Sequence, residues 1–344
     1  MSHNTGDIKA KVGVQKTKAD YFLLITYYFL LFNLAFFIGC GQNQSLFQQT
    51  GMDLYVDAVM LRELDEKEMA IEKLNSAVES DRNFAMAYSL LGRIYQEIKN
   101  YEKSAAAYEN ATNLSPWSFD DFFNLGRVYQ IMKKFAQAVK AYTQACELKP
   151  DHLEAHINTA KCYYKLEDYN NALTYGRRAE QLDPNVSEIQ EILGDIYEFQ
   201  KDHDQAIGSY KRALEIDSNN PGIMVSLAVV YLRTNRNEPA EELLSSAIQI
   251  QPDNSEAYRY LGYCYLRLDD VDKSTESYGK AIEIDEKNWE AHKGLGVAYM
   301  WKGIHNNDKT LRGKAIQQWQ LSLKIKPDQP RSEKLRKLIQ KYSD

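Results

Sequence analysis

Leu91-Gly92-Arg93-Ile94-Tyr95 and, 34 residues later, Leu125-Gly126-Arg127-Val128-Tyr129 decide the fold. The beat continues with drift along most of the chain. Tyr95, Tyr129, Tyr163, Tyr197, Tyr231, Tyr265 and Tyr299 keep one spacing, as do Ala77, Ala111, Ala145, Ala179, Ala213, Ala247 and Ala281. A fixed period of this length marks an array of stacked supersecondary units, each unable to bury its apolar face alone. An array presents an extended surface, so the sequence directs attention to what the chain binds.

Within one period the faces can be read directly. Phe122, Leu125, Gly126 and Tyr129 are spaced 3, 1 and 3, one face of a helix. Ala138, Tyr142 and Ala145, spaced 4 and 3, form one face of a second. Small residues at Gly126, Ala138 and Ala145 let the helices approach closely, the tyrosines fill the space beside them, and Pro150 ends the second helix. With Gly92 as the eighth residue of a unit, units begin at Gly51, Ala85, Phe119, Leu153, Ser187, Pro221, Ser255 and Trp289.

On these residues the chain resembles the tetratricopeptide repeat family, most closely in the third unit, with Phe122, Leu125, Gly126, Tyr129, Ala138, Tyr142, Ala145 and Pro150 at the family's places. The resemblance implies an all-α fold, a right-handed superhelix of antiparallel helix pairs, over residues 51–329. The last unit holds seven extra residues, about His305 to Leu311, which longer helices or a bigger turn would absorb. Residues 331–342 read as a capping helix, with Leu335, Leu338, Ile339 and Tyr342 as one apolar stripe.

The amino terminus has a separate character. Lys9, Lys11, Lys16 and Lys18 precede an uncharged, mostly apolar run from Tyr21 to Ile38, followed by Gly39 and Cys40. Those are the parts of a secretory signal. Phe37-Ile38-Gly39-Cys40 resembles the lipobox of bacterial lipoproteins, which implies residues 1–39 as a cleaved signal and Cys40 as the lipidated first residue of the mature chain. The match departs from the pattern at Phe37, where leucine is usual, and at Asp20 beside the apolar run. The alternative is an uncleaved anchor, since eighteen residues at 1.5 Å rise span roughly 27 Å. Both place the lysines on the cytoplasmic side and the body outside it. Residues 40–50 then serve as a tether.

Net charge is −6; the first 40 residues carry four lysines against Asp7 and Asp20, +2, leaving −8 for the body. An acidic body attracts no phosphate backbone, which argues against nucleic acid as a partner. No phosphate loop, nucleophile elbow or paired metal motif is present, so the chain reads as a non-enzyme with no cofactor and no metal. His152 and His156 stand at metal-chelating spacing, but His156 and His292 occupy the fourth position of their units, where Phe122 and Tyr258 pack. Cys146, Cys162 and Cys264 read as small buried hydrophobes, with a Cys146–Cys162 bridge as the alternative.

The family resemblance places a binding groove on the first helices, near positions 2, 5, 6, 9, 12 and 13. Position 9 presents Arg93, Arg127 and Lys161, and Asn124 and Asn158 stand one turn before the last two. Cations with amides beside them suit a peptide backbone or terminal carboxylate; solvated charge is the alternative. Position 5 holds Ser89, Phe123 and Ile157 rather than lysine, so the family's carboxylate clamp is not reproduced. Val229, Tyr263, Val297, Leu232, Leu266 and Met300 form an apolar stripe in the last three units. It either accepts an amphipathic helix or is covered by the superhelix or the cap. The functional expectation is a membrane-tethered scaffold of the bacterial envelope, its repeats outside the cytoplasm, that holds a protein or peptide. A glycan- or peptidoglycan-binding protein and a signal-anchored import receptor are the other readings.

Overall fold

The computed structural model describes residues 50–343. Residues 1–49, including the apolar run from Tyr21 to Ile38 and Cys40, lie outside the described residues. Among those described, no helix is long and apolar enough to cross a membrane.

Eight antiparallel pairs and a terminal helix make up the described residues. The pairs are α1 (Gly51–Glu63) with α2 (Lys67–Ser80), α3 (Ala85–Glu97) with α4 (Tyr101–Leu114), α5 (Phe119–Ile131) with α6 (Phe135–Leu148), and α7 (Leu153–Lys165) with α8 (Tyr169–Leu182). They continue as α9 (Ser187–Phe199) with α10 (His203–Ile216), α11 (Pro221–Arg233) with α12 (Asn237–Ile250), α13 (Ser255–Arg267) with α14 (Val271–Ile284), and α15 (Trp289–His305) with α16 (Lys309–Ile325). The terminal helix is α17 (Ser332–Ser343). Each helix packs on its neighbours in sequence, and the first helices of successive units, α7 to α15, also touch one another. Those first helices therefore form a continuous inner wall.

Local chemistry sets the boundaries. Ser118, Asn220, Asn254 and Asn288 cap the starts of α5, α11, α13 and α15, each accepting a backbone N–H with its side chain. The turn inside each pair is a three-residue link with one residue at positive φ: Asp65, Lys99, Lys133, Glu167, Lys201, Asn235, Asp269 and Asn307, with φ between 49° and 64°. The residue after it donates back to a carbonyl five residues earlier, as Lys134 N does to Tyr129 O at 2.8 Å. That is the six-to-one bond of a Schellman helix end, built here without glycine.

Alanines Ala77, Ala111, Ala145, Ala179, Ala213, Ala247 and Ala281 are fully buried, since the helix crossings leave room for nothing larger. Seven residues earlier, at the twentieth position, alanine is again usual, and where serine stands there its hydroxyl finds a carbonyl: Ser104 donates to Gly92 O at 2.7 Å and Ser274 to Gly262 O at 2.8 Å. In seven of the eight units the eighth residue is matched to the twenty-fourth; the fourth, with Ala160 and Gly176, is filled instead by Leu193 of the next unit. Glycine at 92, 126, 194, 262 and 296 faces Tyr108, Tyr142, Tyr210, Tyr278 and Trp319, whereas Ala58 and Ala228 stand in units that carry Leu74 and Leu244. A Cβ on Gly126 would lie 2.6 Å from the Tyr142 ring. The glycine is therefore the vacancy that the tyrosine fills.

The seven extra residues of the last unit lengthen both helices and leave the turn unchanged. α15 and α16 are each 17 residues, against 13 and 14 in the unit before, which absorbs four and three. The pair so projects about one helical turn beyond its neighbours. At the far end, Leu335, Leu338, Ile339 and Tyr342 of α17 pack on Met300, Ala315 and Trp319, the stripe expected of a cap. At the near end nothing among the described residues covers Met52, Val56 and Met60 of α1.

Candidate binding groove

The six groove positions fall on the inner wall, and their chemistry changes along it in three zones. The first zone holds the cations. Arg93 and Arg127 are exposed at one level of α3 and α5, with half-buried Asn124 one turn before Arg127. Neither arginine has a carboxylate within ion-pair distance among the described residues. Both act on Tyr108 beneath them: burial pushes its phenol up to about 12, and the two guanidiniums pull it back. Lys161 stands in line on α7 with half-buried Asn158 one turn before it, but Glu188 of α9 pairs with it. The three cations share a line; only Arg93 and Arg127 have their charge free.

The second zone reverses the sign. Glu188, Glu191, Asp195 and Glu198, all from α9, face the groove. Glu188 is paired with Lys161 and Glu198 with Arg233 of α11, so the uncompensated charge lies at Glu191 and Asp195. Glu191, Asp195 and Glu198 line a cleft of about 340 Å³ walled by Tyr164, Val225, Val229 and Tyr260. Burial raises the Asp195 carboxyl above its ordinary value, against the Tyr210 hydroxyl, which donates to it at 2.6 Å, and Lys165. Burial, then the neighbouring Asp195 and Glu188 charges, raises Glu191. This acidic zone went unread in the sequence, although positions 5, 9 and 12 of the fifth unit spell it out as Glu191, Asp195 and Glu198.

The third zone is apolar and splits the stripe expected there. At position 12, Leu232 and Met300 are buried and Leu266 is half-buried; the cap covers Met300. At position 9 the residues stay open: Val229 is half-buried, and Tyr263 and Val297 are exposed.

The remaining candidates resolve into packing. His156 is buried with Nε2 3.0 Å from Pro150 O, and burial lowers its pKa. His152 caps α7, its Nδ1 accepting from Ala155 N at 3.2 Å. The two imidazoles thus serve different backbone groups. His292 repeats the His156 contact, Nε2 3.2 Å from Glu286 O. The three cysteines are free and buried, so the Cys146–Cys162 bridge is not formed; Cys146 Sγ lies 3.6 Å from Thr159 Oγ1 instead. Burial pushes the Cys162 thiol up to about 12 and Cys264 to about 11, which keeps both protonated and unreactive.

With this geometry in hand, comparison with known proteins gives a consistent answer. Tetratricopeptide repeats are matched at residues 85–116, 123–187, 200–261 and 255–288. The chain carries tetratricopeptide repeats, and its fold is their all-α superhelix. Among solved structures, a tetratricopeptide repeat protein from Parabacteroides merdae is similar over 76% of this chain and 99% of its own, at 14% identity and TM-score 0.57. The C-terminal part of a TPR repeat-containing protein from Cytophaga hutchinsonii is similar over 70% of this chain and 99% of its own, at 18% identity and TM-score 0.57. Pseudomonas aeruginosa pilF is similar over 60% and 94%, at 20% identity and TM-score 0.51. At such identities the likeness is one of fold. No curated protein matches the chain.

Proposed function

We propose that the chain is a membrane-tethered scaffold of the bacterial envelope whose repeats, outside the cytoplasm, hold a segment of a partner protein in the concave groove. The observation that carries the binding part is the first zone. Arg93 and Arg127 stand in line on a rigid wall, free of carboxylates, with Asn124 beside them to bond a peptide backbone. The packed helices fix the backbone beforehand, so binding has only the exposed arginine side chains to order. The tether rests on Lys9 to Lys18, the apolar run and Cys40. Lipidation supplies the several acyl chains that a stable hold requires.

Two experiments separate the parts. Arg93→Glu with Arg127→Glu in the full chain removes partner capture after crosslinking in cells while leaving helicity unchanged; capture of the same partner at the same yield refutes the groove assignment. Cys40→Ala abolishes palmitate incorporation, and membrane association in the absence of any label in the unaltered protein refutes lipidation.

A further inference from the structure

His156 packs into the fourth unit, yet one of its ring nitrogens is left over. Pro150 O, 3.0 Å from Nε2, can only accept, so Nε2 carries the proton and Nδ1 of the neutral ring is a bare lone pair. No group among the described residues bonds Nδ1, although the residue is only 6% exposed. A buried polar atom of this kind asks for an explanation. The last unit supplies the comparison. His292 holds the same place, its Nε2 3.2 Å from Glu286 O, and its Nδ1 meets the Gln318 amide at 2.6 Å. Where that unit has Gln318 the fourth has Tyr175, whose ring packs 5.8 Å from the imidazole and leaves Nδ1 unbonded.

The fourth unit is also the one that breaks the glycine and tyrosine rule. Its ring stands one residue early, at Tyr175 beside Gly176. A cleft of about 550 Å³ opens there, lined by His156, Thr174, Tyr175, Arg177, Arg178 and Gln181, mostly from the second helix and away from the groove positions. Departures from a packing code gather at functional sites. Arg177 and Arg178 are exposed, and neither has a carboxylate within ion-pair distance among the described residues. Arg178 donates to Pro150 O at 3.3 Å and Gln181 Oε1 at 3.4 Å, and Arg177 to the Tyr197 hydroxyl at 3.0 and 3.3 Å. A guanidinium has five N–H groups, so donors remain on both. The charges that bear on His156 are those of Arg178 from α8 and His152 at the start of α7; Glu147 of α6 bears on Tyr175 instead.

We infer that this cleft binds a protonated oxyanion, hydrogen phosphate or a singly protonated phosphate monoester. Its charged oxygens take N–H groups of Arg177 and Arg178, and its own O–H donates to His156 Nδ1. Sulfate matches the charge but brings no proton near neutral pH, so it leaves Nδ1 unbonded. Nδ1 itself is covered, and the half-buried Tyr175 ring on the cleft wall yields to admit the ligand. Burial holds the His156 pKa below its ordinary value, so the lone pair is present at neutral pH. In acid the imidazolium donates from Nδ1, and sulfate then suits the site as well. Free phosphate and the headgroup of a phosphatidic acid offer the same chemistry.

The test is calorimetric titration of the full chain in detergent at constant ionic strength. At pH 7.5 inorganic phosphate binds saturably and sulfate at least tenfold more weakly, a preference that shrinks as pH falls to 5. Arg177→Gln with Arg178→Gln weakens phosphate at least tenfold with unchanged far-ultraviolet circular dichroism. His156→Phe, the residue that Phe122 places at this position of the third unit, removes the preference over sulfate. Arg93→Glu with Arg127→Glu changes nothing, which keeps this site separate from the groove. Dihexanoyl phosphatidic acid binding more tightly than phosphate assigns a lipid headgroup; equal or weaker binding assigns the free anion. No saturable binding of phosphate, equal binding of phosphate and sulfate at pH 7.5, a preference that fails to shrink in acid, or indifference to the arginine changes would each overturn the inference.

Discussion

Replacing Gly126 by alanine puts the packing rule of the repeats under direct strain. The added Cβ would meet Tyr142 Cδ1 at 2.6 Å, Cε1 at 2.7 Å and Cγ at 2.8 Å. That ring has nowhere to go. It is fully buried, its hydroxyl donates to Gln130 Oε1 at 2.7 Å, and Phe123 packs at a centroid distance of 5.7 Å. Overpacking costs about 1–3 kcal/mol, and an immobile ring argues for about 3. Alanine recovers about 1 kcal/mol of helix propensity, leaving a net loss of about 2 kcal/mol. Tyr142→Leu alone opens a void and removes the hydroxyl contact, at about 3 kcal/mol. Together the two recreate the alanine and leucine found at 58 with 74 and at 228 with 244. The clash vanishes and the propensity gain remains, so the double variant loses about 2 kcal/mol where the sum is about 5. Urea unfolding followed by circular dichroism measures all three variants. Additivity to within about 0.5 kcal/mol would refute the reasoning.

Other outcomes follow from the same structure. Lys133→Gly relieves a φ of 58°, which costs an L-residue about 1–2 kcal/mol, against about 1 kcal/mol of extra chain entropy; a gain of about 0.5 kcal/mol in urea unfolding is expected, and any loss contradicts the turn geometry. Asp195→Asn raises the thermal midpoint at pH 7.5 and much less near pH 4. A carboxyl whose folded pKa exceeds its unfolded value of 3.8 binds more protons when folded, so stability falls as pH rises from there through the folded pKa. A Tm gain independent of pH would place the effect elsewhere. Cys146, Cys162 and Cys264 stay unlabelled by a thiol reagent under native conditions and react on unfolding; fast native labelling of Cys162 contradicts its burial.

Much of the fold was legible because the repeat itself is a packing code. Gly126 with Tyr142, the buried alanines and the helix caps are local and periodic, so one unit reads like the next. The site was less legible. Position 9 gave Arg93, Arg127 and Lys161 as equals, yet Lys161 is neutralised by Glu188, 27 residues away, a pairing set by how α7 and α9 stack. The apolar stripe was seen whole in the sequence, but whether Leu232 or Tyr263 is open depends on the tilt between successive pairs. The insertion left a choice between a larger turn and longer helices. Helix length won because Asn307 repeats the turn's positive φ and Gly303 allows the two backbones to close up, with Arg312 N and Asp308 O about 3 Å from where a Cβ would stand.

The most direct test of a partner held in the groove is site-specific photocrosslinking in cells. A photoreactive residue at Asn124, on the inner wall, is compared with one at exposed Lys140 on α6, the second helix of the same unit. The account predicts a discrete crosslinked partner from position 124 that is lost in Arg93→Glu with Arg127→Glu, and none from position 140. Equal crosslinking from both positions, or crosslinking from 140 alone, would contradict it.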